Sequence, residues 1–193
     1  ASQERVLDIT HATGFTFRPD GKKAAISFCG ELWSRDSESC HDLLSTRKLH
    51  PKIKGLAYSP DGSLLAVAYE NGLVKVVDVA SASQLAVFEM ASKVAPSVAF
   101  SPDGMLLAIG DKYRGVRLWR VGSSELPKVI DAKPVCALSL AFTPDGENIL
   151  SASHDGAIRI YSASTGREKG SIHFLGGTEW VVSDRSGNFD ATS

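Results

Sequence analysis

Val98-Ala99-Phe100-Ser101-Pro102-Asp103-Gly104-Met105-Leu106-Leu107-Ala108-Ile109 reads as two short apolar runs around a four-residue turn. Proline presets φ for the second turn position, aspartate tolerates the third, and glycine supplies the positive φ that leads into the next run. The stretch predicts a β-hairpin. It is not alone. Phe17-Arg18-Pro19-Asp20-Gly21, Tyr58-Ser59-Pro60-Asp61-Gly62 and Phe142-Thr143-Pro144-Asp145-Gly146 repeat it. The four prolines, at 19, 60, 102 and 144, lie 41, 42 and 42 residues apart.

A period near forty built of strands points to an array of small antiparallel sheets arranged as a propeller. Each repeat carries a strand a before the turn (Phe15–Phe17, Leu56–Tyr58, Val98–Phe100, Leu140–Phe142) and a strand b after it (Ala24–Phe28, Leu64–Tyr69, Leu106–Ile109, Ile149–Ala152). Large and small residues alternate with period two, as in a sheet buried on both faces. A second turn ends in Gly30, Gly72, Gly115 or Gly156. Strand c follows (Glu31–Trp33, Val74–Val79, Val116–Val121, Ile158–Ser162), then a more polar strand d (Asp42–Thr46, Gln84–Phe88, Lys128–Ile130, Lys169–Phe174). A polar outer strand discourages edge-to-edge pairing. The expected units are 14–48, 54–90, 96–131 and 138–175, with a partial fifth over 178–193 and a lone strand within residues 3–10.

The composition bounds the function. With 43% hydrophobic residues the chain can bury a core. A formal charge of −1, from 21 basic and 22 acidic residues, gives no general attraction to nucleic acid or an anionic membrane. No apolar run is long enough to span a bilayer, and the first residues do not read as a signal peptide. Cys29, Cys40 and Cys136 form no CxxC pair and do not follow the repeat. They read as reduced structural thiols in a cytoplasmic protein, with a Cys29–Cys40 disulfide as the alternative.

No catalytic set emerges. Ser151, Ser153, His154 and Asp155 offer triad residue types, but on one strand and its turn rather than converging on a pocket. The five histidines lack HxH or HExxH spacing, so no metal site is expected, and no glycine loop has phosphate-cradling spacing, so no cofactor is expected either.

The turns, together with Val116-Arg117-Leu118-Trp119, Val76-Val77-Asp78-Val79 and Ile158-Arg159-Ile160-Tyr161-Ser162-Ala163-Ser164-Thr165-Gly166, resemble the WD40 repeat family over nearly the whole chain. Ser-Pro-Asp-Gly turns also occur in TolB-like and prolyl-oligopeptidase-like propellers, but Leu118-Trp119 and Ser164-Thr165-Gly166 favour WD40. The resemblance implies an all-β propeller of four-stranded blades with strand a innermost. The Trp-Asp signature is incomplete, at Trp33-Ser34, Val77-Asp78, Trp119-Arg120 and Tyr161-Ser162. Of the family's hydrogen-bond network, His50 fits one role, and Asp155 with Ser151 or Ser153 fits others. The blades are therefore expected to hold by apolar packing.

Four blades and part of a fifth imply a larger ring, a ring completed by another chain or a second copy, or a small ring closed by the N-terminal strand. Trp180-Val181-Val182 with Gly187-Asn188-Phe189-Asp190-Ala191 resembles the end of the propeller in many bacterial WD40 proteins, some bearing a caspase-like peptidase domain. That favours a piece of a longer propeller.

The resemblance further implies a non-catalytic protein-interaction scaffold that docks a protein or peptide on the rim of d–a and b–c connections. That rim is expected to carry His50, Lys52, Lys54, Lys93, Lys112, Tyr113, Arg114, Lys133 and His154, its charge diluted by Glu70, Asp111, Asp131 and Asp155. Lys112-Tyr113-Arg114, in the longest b–c turn, is the leading candidate for contact with an acidic peptide. The alternative is a sensor portion of a larger enzyme with catalysis outside this chain.

Overall fold

A computed structural model of the chain describes residues 12–28, 31–35, 40–42, 52–90, 97–113, 115–130, 137–176, 179–184, 186 and 188–192. The possible strand within residues 3–10, His50 and the Cys29–Cys40 pairing lie outside or partly outside those residues. Four antiparallel sheets follow in chain order. The first holds β1 (Ala12–Phe17), β2 (Ala24–Phe28), β3 (Glu31–Arg35) and β4 (Cys40–Asp42). The second holds β5 (Ile53–Tyr58), β6 (Leu64–Tyr69), β7 (Leu73–Asp78) and β8 (Gln84–Glu89). The third holds β9 (Val98–Phe100), β10 (Leu106–Asp111), β11 (Gly115–Arg120) and β12 (Lys128–Ile130). The fourth holds β13 (Ala137–Phe142), β14 (Asn148–Ser153), β15 (Ala157–Ser162), β16 (Glu168–Gly176), β17 (Glu179–Asp184) and β18 (Phe189–Thr192). First strands pack on one another in series, β1 on β5, β5 on β9 and β9 on β13, so strand a is innermost.

The quoted turn is built as its residues dictate. The Gly104 N–H donates to the Ser101 carbonyl at 2.9 Å. Ser101 Oγ donates to Asp103 at 2.6 Å and accepts the Leu106 N–H at 2.8 Å. Asp103 accepts the Met105 N–H at 2.9 Å. Ser59 with Asp61, and Thr143 with Asp145, repeat the pattern. All four turn glycines have φ between 70° and 74°, where a Cβ is strained. Adjacent turns touch around the rim, for a Cβ on Gly104 or Gly146 would sit 3.5 Å from Cδ of Pro60 or Pro102.

Among the described residues there is no single core. Apolar clusters lie in layers between consecutive sheets. The residue five places after each turn proline (Leu65, Leu107, Ile149) points back toward the previous sheet, and the next residue (Ala25, Ala66, Ala108) points forward. Ala25 packs with Leu65, Ala66 with Leu107, and Ala108 with Ile149. Phe88 meets Trp119 edge-on across the second layer, ring centroids 5.0 Å apart. Gly110 closes the third layer at the hub, where a Cβ would stand 2.7 Å from the Ala137 carbonyl oxygen.

Three expectations change. In the first sheet Trp33 pairs with Ile26 and Arg35 with Ala24. Leu65, Leu107 and Ile149, the counterparts of Ala24, pair with Val77, Trp119 and Tyr161. Arg35, not Trp33, therefore holds the signature register, because the two-residue Cys29-Gly30 connection is shorter than those of the other sheets. Strand d of this sheet already includes Cys40 and His41, ahead of the expected start at Asp42, and residues 43–46 lie outside the described residues. The tail forms its strand–turn–strand, but β17 pairs with β16 and β18 with β17, which makes the fourth sheet six-stranded. The pairing satisfies backbone groups along the outer edge of β16.

Two predictions concern the turns. Ala82, exposed in the β7–β8 turn, has φ 56°, and its counterpart in the β15–β16 turn is Gly166 at 69°. Ala82→Gly is expected to raise stability by about 0.5 to 1 kcal/mol in denaturant titration, relief of left-handed strain exceeding the entropy cost. The Ser59 hydroxyl, then the Ser63 N–H and hydroxyl, hold the Asp61 carboxyl down from 3.8 to about 2. Its contribution is complete above 3.8 and is lost as pH falls toward 2. Asp61→Asn should melt below the parent at pH 7, and the gap should close across that window; a pH-independent gap would rule out the carboxylate charge as its source.

Candidate functional site

The antiparallel order places the b–c turns and the starts of the strands a at one end of the blades. Lys52 is exposed just before β5, and its carbonyl accepts the Glu70 N–H from the β6–β7 turn at 2.8 Å. Lys54 is exposed on β5, and His154 is exposed in the β14–β15 turn. Lys112 and Tyr113 form the described part of the β10–β11 turn. Arg114, Lys93, Lys133 and Asp131 lie outside the described residues.

Asp111 departs from its expected role. It is fully buried (0% exposed) and does not dilute the surface charge. One carboxylate oxygen accepts the Arg117 Nε–H at 3.1 Å and the other accepts the Tyr113 N–H at 3.2 Å. A single carboxylate thus ties the end of β10 to β11 and to the turn between them. Tyr113 is left 58% exposed, with Lys112 Nζ 5.3 Å from its ring centroid. The loop presents a cation beside an aromatic face on a fixed base.

The same position is used in the neighbouring sheets with other chemistry. Tyr69 and Lys75 occupy it in the second, the ammonium lying 5.8 Å from the ring centroid, and burial pushes the Tyr69 hydroxyl up to about 12. Ser153 and Arg159 occupy it in the fourth, 2.9 Å apart. Arg159 also pairs with Asp155, chiefly by a hydrogen bond that holds the Asp155 carboxyl below its ordinary range and raises the guanidinium. Asp155 therefore braces its turn. Arg117 and Arg159 were missed as site residues, although Lys75, Arg117 and Arg159 recur every 42 residues, as do Tyr69, Asp111 and Ser153.

The triad residue types do not assemble. Ser151 is buried, Ser153 is bonded to Arg159, and His154 is exposed to solvent. Ser171 and His173 approach to 2.9 Å on β16, but Ser171 also bonds Ser183 of β17 at 3.0 Å, a contact between paired strands. Among the described residues no group of three or more His, Cys, Asp or Glu is placed to hold a metal ion. A cleft of about 570 Å³ opens on the opposite rim, between β12 and the Ala163–Gly166 turn, with Leu118, Leu126 and Ile130 in its walls.

Asp111→Ala would leave the Arg117 guanidinium unpaired with little solvent around it. The expected cost is about 3 to 5 kcal/mol, measured by chemical denaturation. A loss under about 1 kcal/mol would mean that the ion pair does not brace the loop.

The sequence profile of the anaphase-promoting complex subunit 4 WD40 domain matches residues 29–97 and 98–174. The fold is similar to the crystal structure of the Myceliophteria thermophila Cps50 (Swd1) β-propeller domain, with a TM-score of 0.73 at 17% identity over 94% of this chain. The chain spans 64% of that solved domain. No curated protein matches the chain.

Proposed function

Because the chain belongs to the anaphase-promoting complex subunit 4 WD40 domain family, a family of WD40 repeat propellers, we propose that it is a non-catalytic protein-interaction scaffold whose b–c rim docks an acidic, extended segment of a protein partner. One observation carries the proposal: the buried Asp111–Arg117 pair holds a turn on which Tyr113 stands exposed with the Lys112 ammonium at its ring. A tyrosine so presented brings apolar contact area at low entropic cost, and the adjacent cation selects for negative charge. Lys52, Lys54 and His154, exposed on the same rim, extend the basic character toward the neighbouring blades. Arg114, Lys93 and Lys133 are assigned to the rim by their place in the repeat.

A fluorescent glutamate-rich peptide titrated onto the chain provides the test. The expected result is saturable binding that weakens as salt rises and falls about tenfold in the Lys112→Ala/Tyr113→Ala double variant, with the melting temperature unchanged. Equal binding by parent and variant would remove the loop from the docking surface.

A further inference from the structure

The outer strand of the third sheet ends its pairing early. β8 pairs with β7 as far as Val77, and β16 with β15 as far as Tyr161. β12 pairs with β11 only at Val116, Arg117 and Leu118, short of Trp119, the counterpart of Val77 and Tyr161. Pro127 stands directly before β12 and has no N–H with which to continue the ladder. The segment 123–126 therefore leaves the end of β11, and the cleft of about 570 Å³ lies in the gap, between the third sheet and the 163–166 turn of the fourth. Both walls belong to consecutive sheets inside the array, so the cleft does not depend on what adjoins its ends.

Leu118 and Ile130 give the cleft an apolar wall, and Leu126 overhangs it, 76% exposed. The neighbouring layer shows what such a space takes. There the counterpart of Ile130 is Phe88, whose ring meets Trp119 edge-on at 5.0 Å. Isoleucine is the smaller group and leaves room for a ring. Arg120, exposed at the cleft, adds a charge. Its counterparts hold their own turns: Asp78 accepts the Ser81 N–H at 2.8 Å and hydroxyl at 2.7 Å, and Ser162 Oγ accepts the Thr165 N–H at 3.3 Å. An arginine accepts neither, and the Trp119 indole secures the third turn by donating to the Ser123 carbonyl at 3.2 Å. Among the described residues no carboxylate lies within ion-pair distance of Arg120. Glu125 pairs with Lys128 at 3.1 Å, and Asp103 is held chiefly by the Ser101 hydroxyl, with Arg120 the least of its attractions.

We propose that this cleft binds a segment of a protein partner, an aromatic side chain set against Leu118 and Ile130 and a neighbouring carboxylate paired with Arg120. The aromatic group is the chemistry that Phe88 supplies in the second layer. The carboxylate matches the guanidinium in charge and in the geometry of its two oxygens. The exposed residues Ser164 and Thr165 on the opposite wall offer hydroxyls to the peptide groups between them. The site lies on the rim opposite the β10–β11 loop and does not rest on the docking role proposed for that loop.

The probe is a short fluorescent Gly/Ser peptide with one phenylalanine between two glutamates, titrated onto the 193-residue chain and read by anisotropy. Saturable binding is expected, and a peptide with alanine in place of the phenylalanine should bind about tenfold more weakly. Arg120→Ser, which installs the residue of the fourth sheet, should weaken binding about fivefold. Leu126→Ser should weaken it about threefold. Both positions are exposed, so the melting temperature should not change. The Lys112→Ala/Tyr113→Ala variant should keep the phenylalanine-dependent binding within about twofold of the parent. With benzoylphenylalanine at the aromatic position, photo-crosslinks should map to residues 118–130 or 163–166. Absence of binding, binding indifferent to the phenylalanine or to Arg120→Ser, or crosslinks confined to other segments overturns the proposal. Loss of binding in the Lys112→Ala/Tyr113→Ala variant assigns the peptide to the other rim and overturns it as well.

Discussion

The structure depends on the contact between a small residue in the second strand of one sheet and a branched residue in the second strand of the next. Each sheet has two apolar faces and cannot cover either by itself. Alanine at 25, 66 and 108 lets the sheets approach, and Leu65, Leu107 and Ile149 fill the space thus opened. Both partners come from adjacent positions of one strand, so a single dipeptide per repeat sets the packing on both sides of its blade. This explains how the fold tolerates an incomplete Trp-Asp signature. Apolar layers carry the blade contacts, and Trp119 contributes as a large group in such a layer.

The turns do a separate job. The hydroxyl and carboxylate at their first and third positions bond each other and the following backbone, which fixes where strand b begins. That start determines which residue points forward and which back, since a slip of one residue would exchange the faces. In the first copy Arg18 replaces the hydroxyl residue, and its guanidinium approaches Asp20 at 3.5 Å. Register is kept there too, as Phe17 pairs with Ala24.

The position at the end of strand b shows how one backbone location is adapted sheet by sheet. A tyrosine under an ammonium, an aspartate with a guanidinium, and a serine with a guanidinium each join strand b to strand c beside the exposed turn. Only the aspartate also takes an N–H from the turn itself, to Tyr113. The β10–β11 loop is three residues long, like its counterparts in the second and fourth sheets and not longer than them as its sequence suggested. What sets it apart is that the strand-b side chain holds its backbone, a suitable base for the docking role proposed for this WD40 propeller.

Much of this was legible in the sequence because it is local. The spacing of Pro19, Pro60, Pro102 and Pro144, the glycine φ requirement and the period-two alternation gave the number of sheets and the identity of their strands. Lys112, Tyr113 and His154 were placed on the surface because turns are exposed. The burial of Asp111 was not legible, since a charge in a turn reads as solvated unless its partner, Arg117 on the next strand, is known to lie across from it. The shift of Trp33 out of the signature register depended on a connection one or more residues shorter than its counterparts, which propensity does not resolve. The pairing of the tail onto β16 was decided by an open sheet edge, a feature that exists only once the fourth sheet has formed. Sequence by itself determined the elements and the faces they present, through backbone sterics and periodicity; the tertiary structure alone decided which edges and charges meet, because those energies arise between strands far apart in the chain.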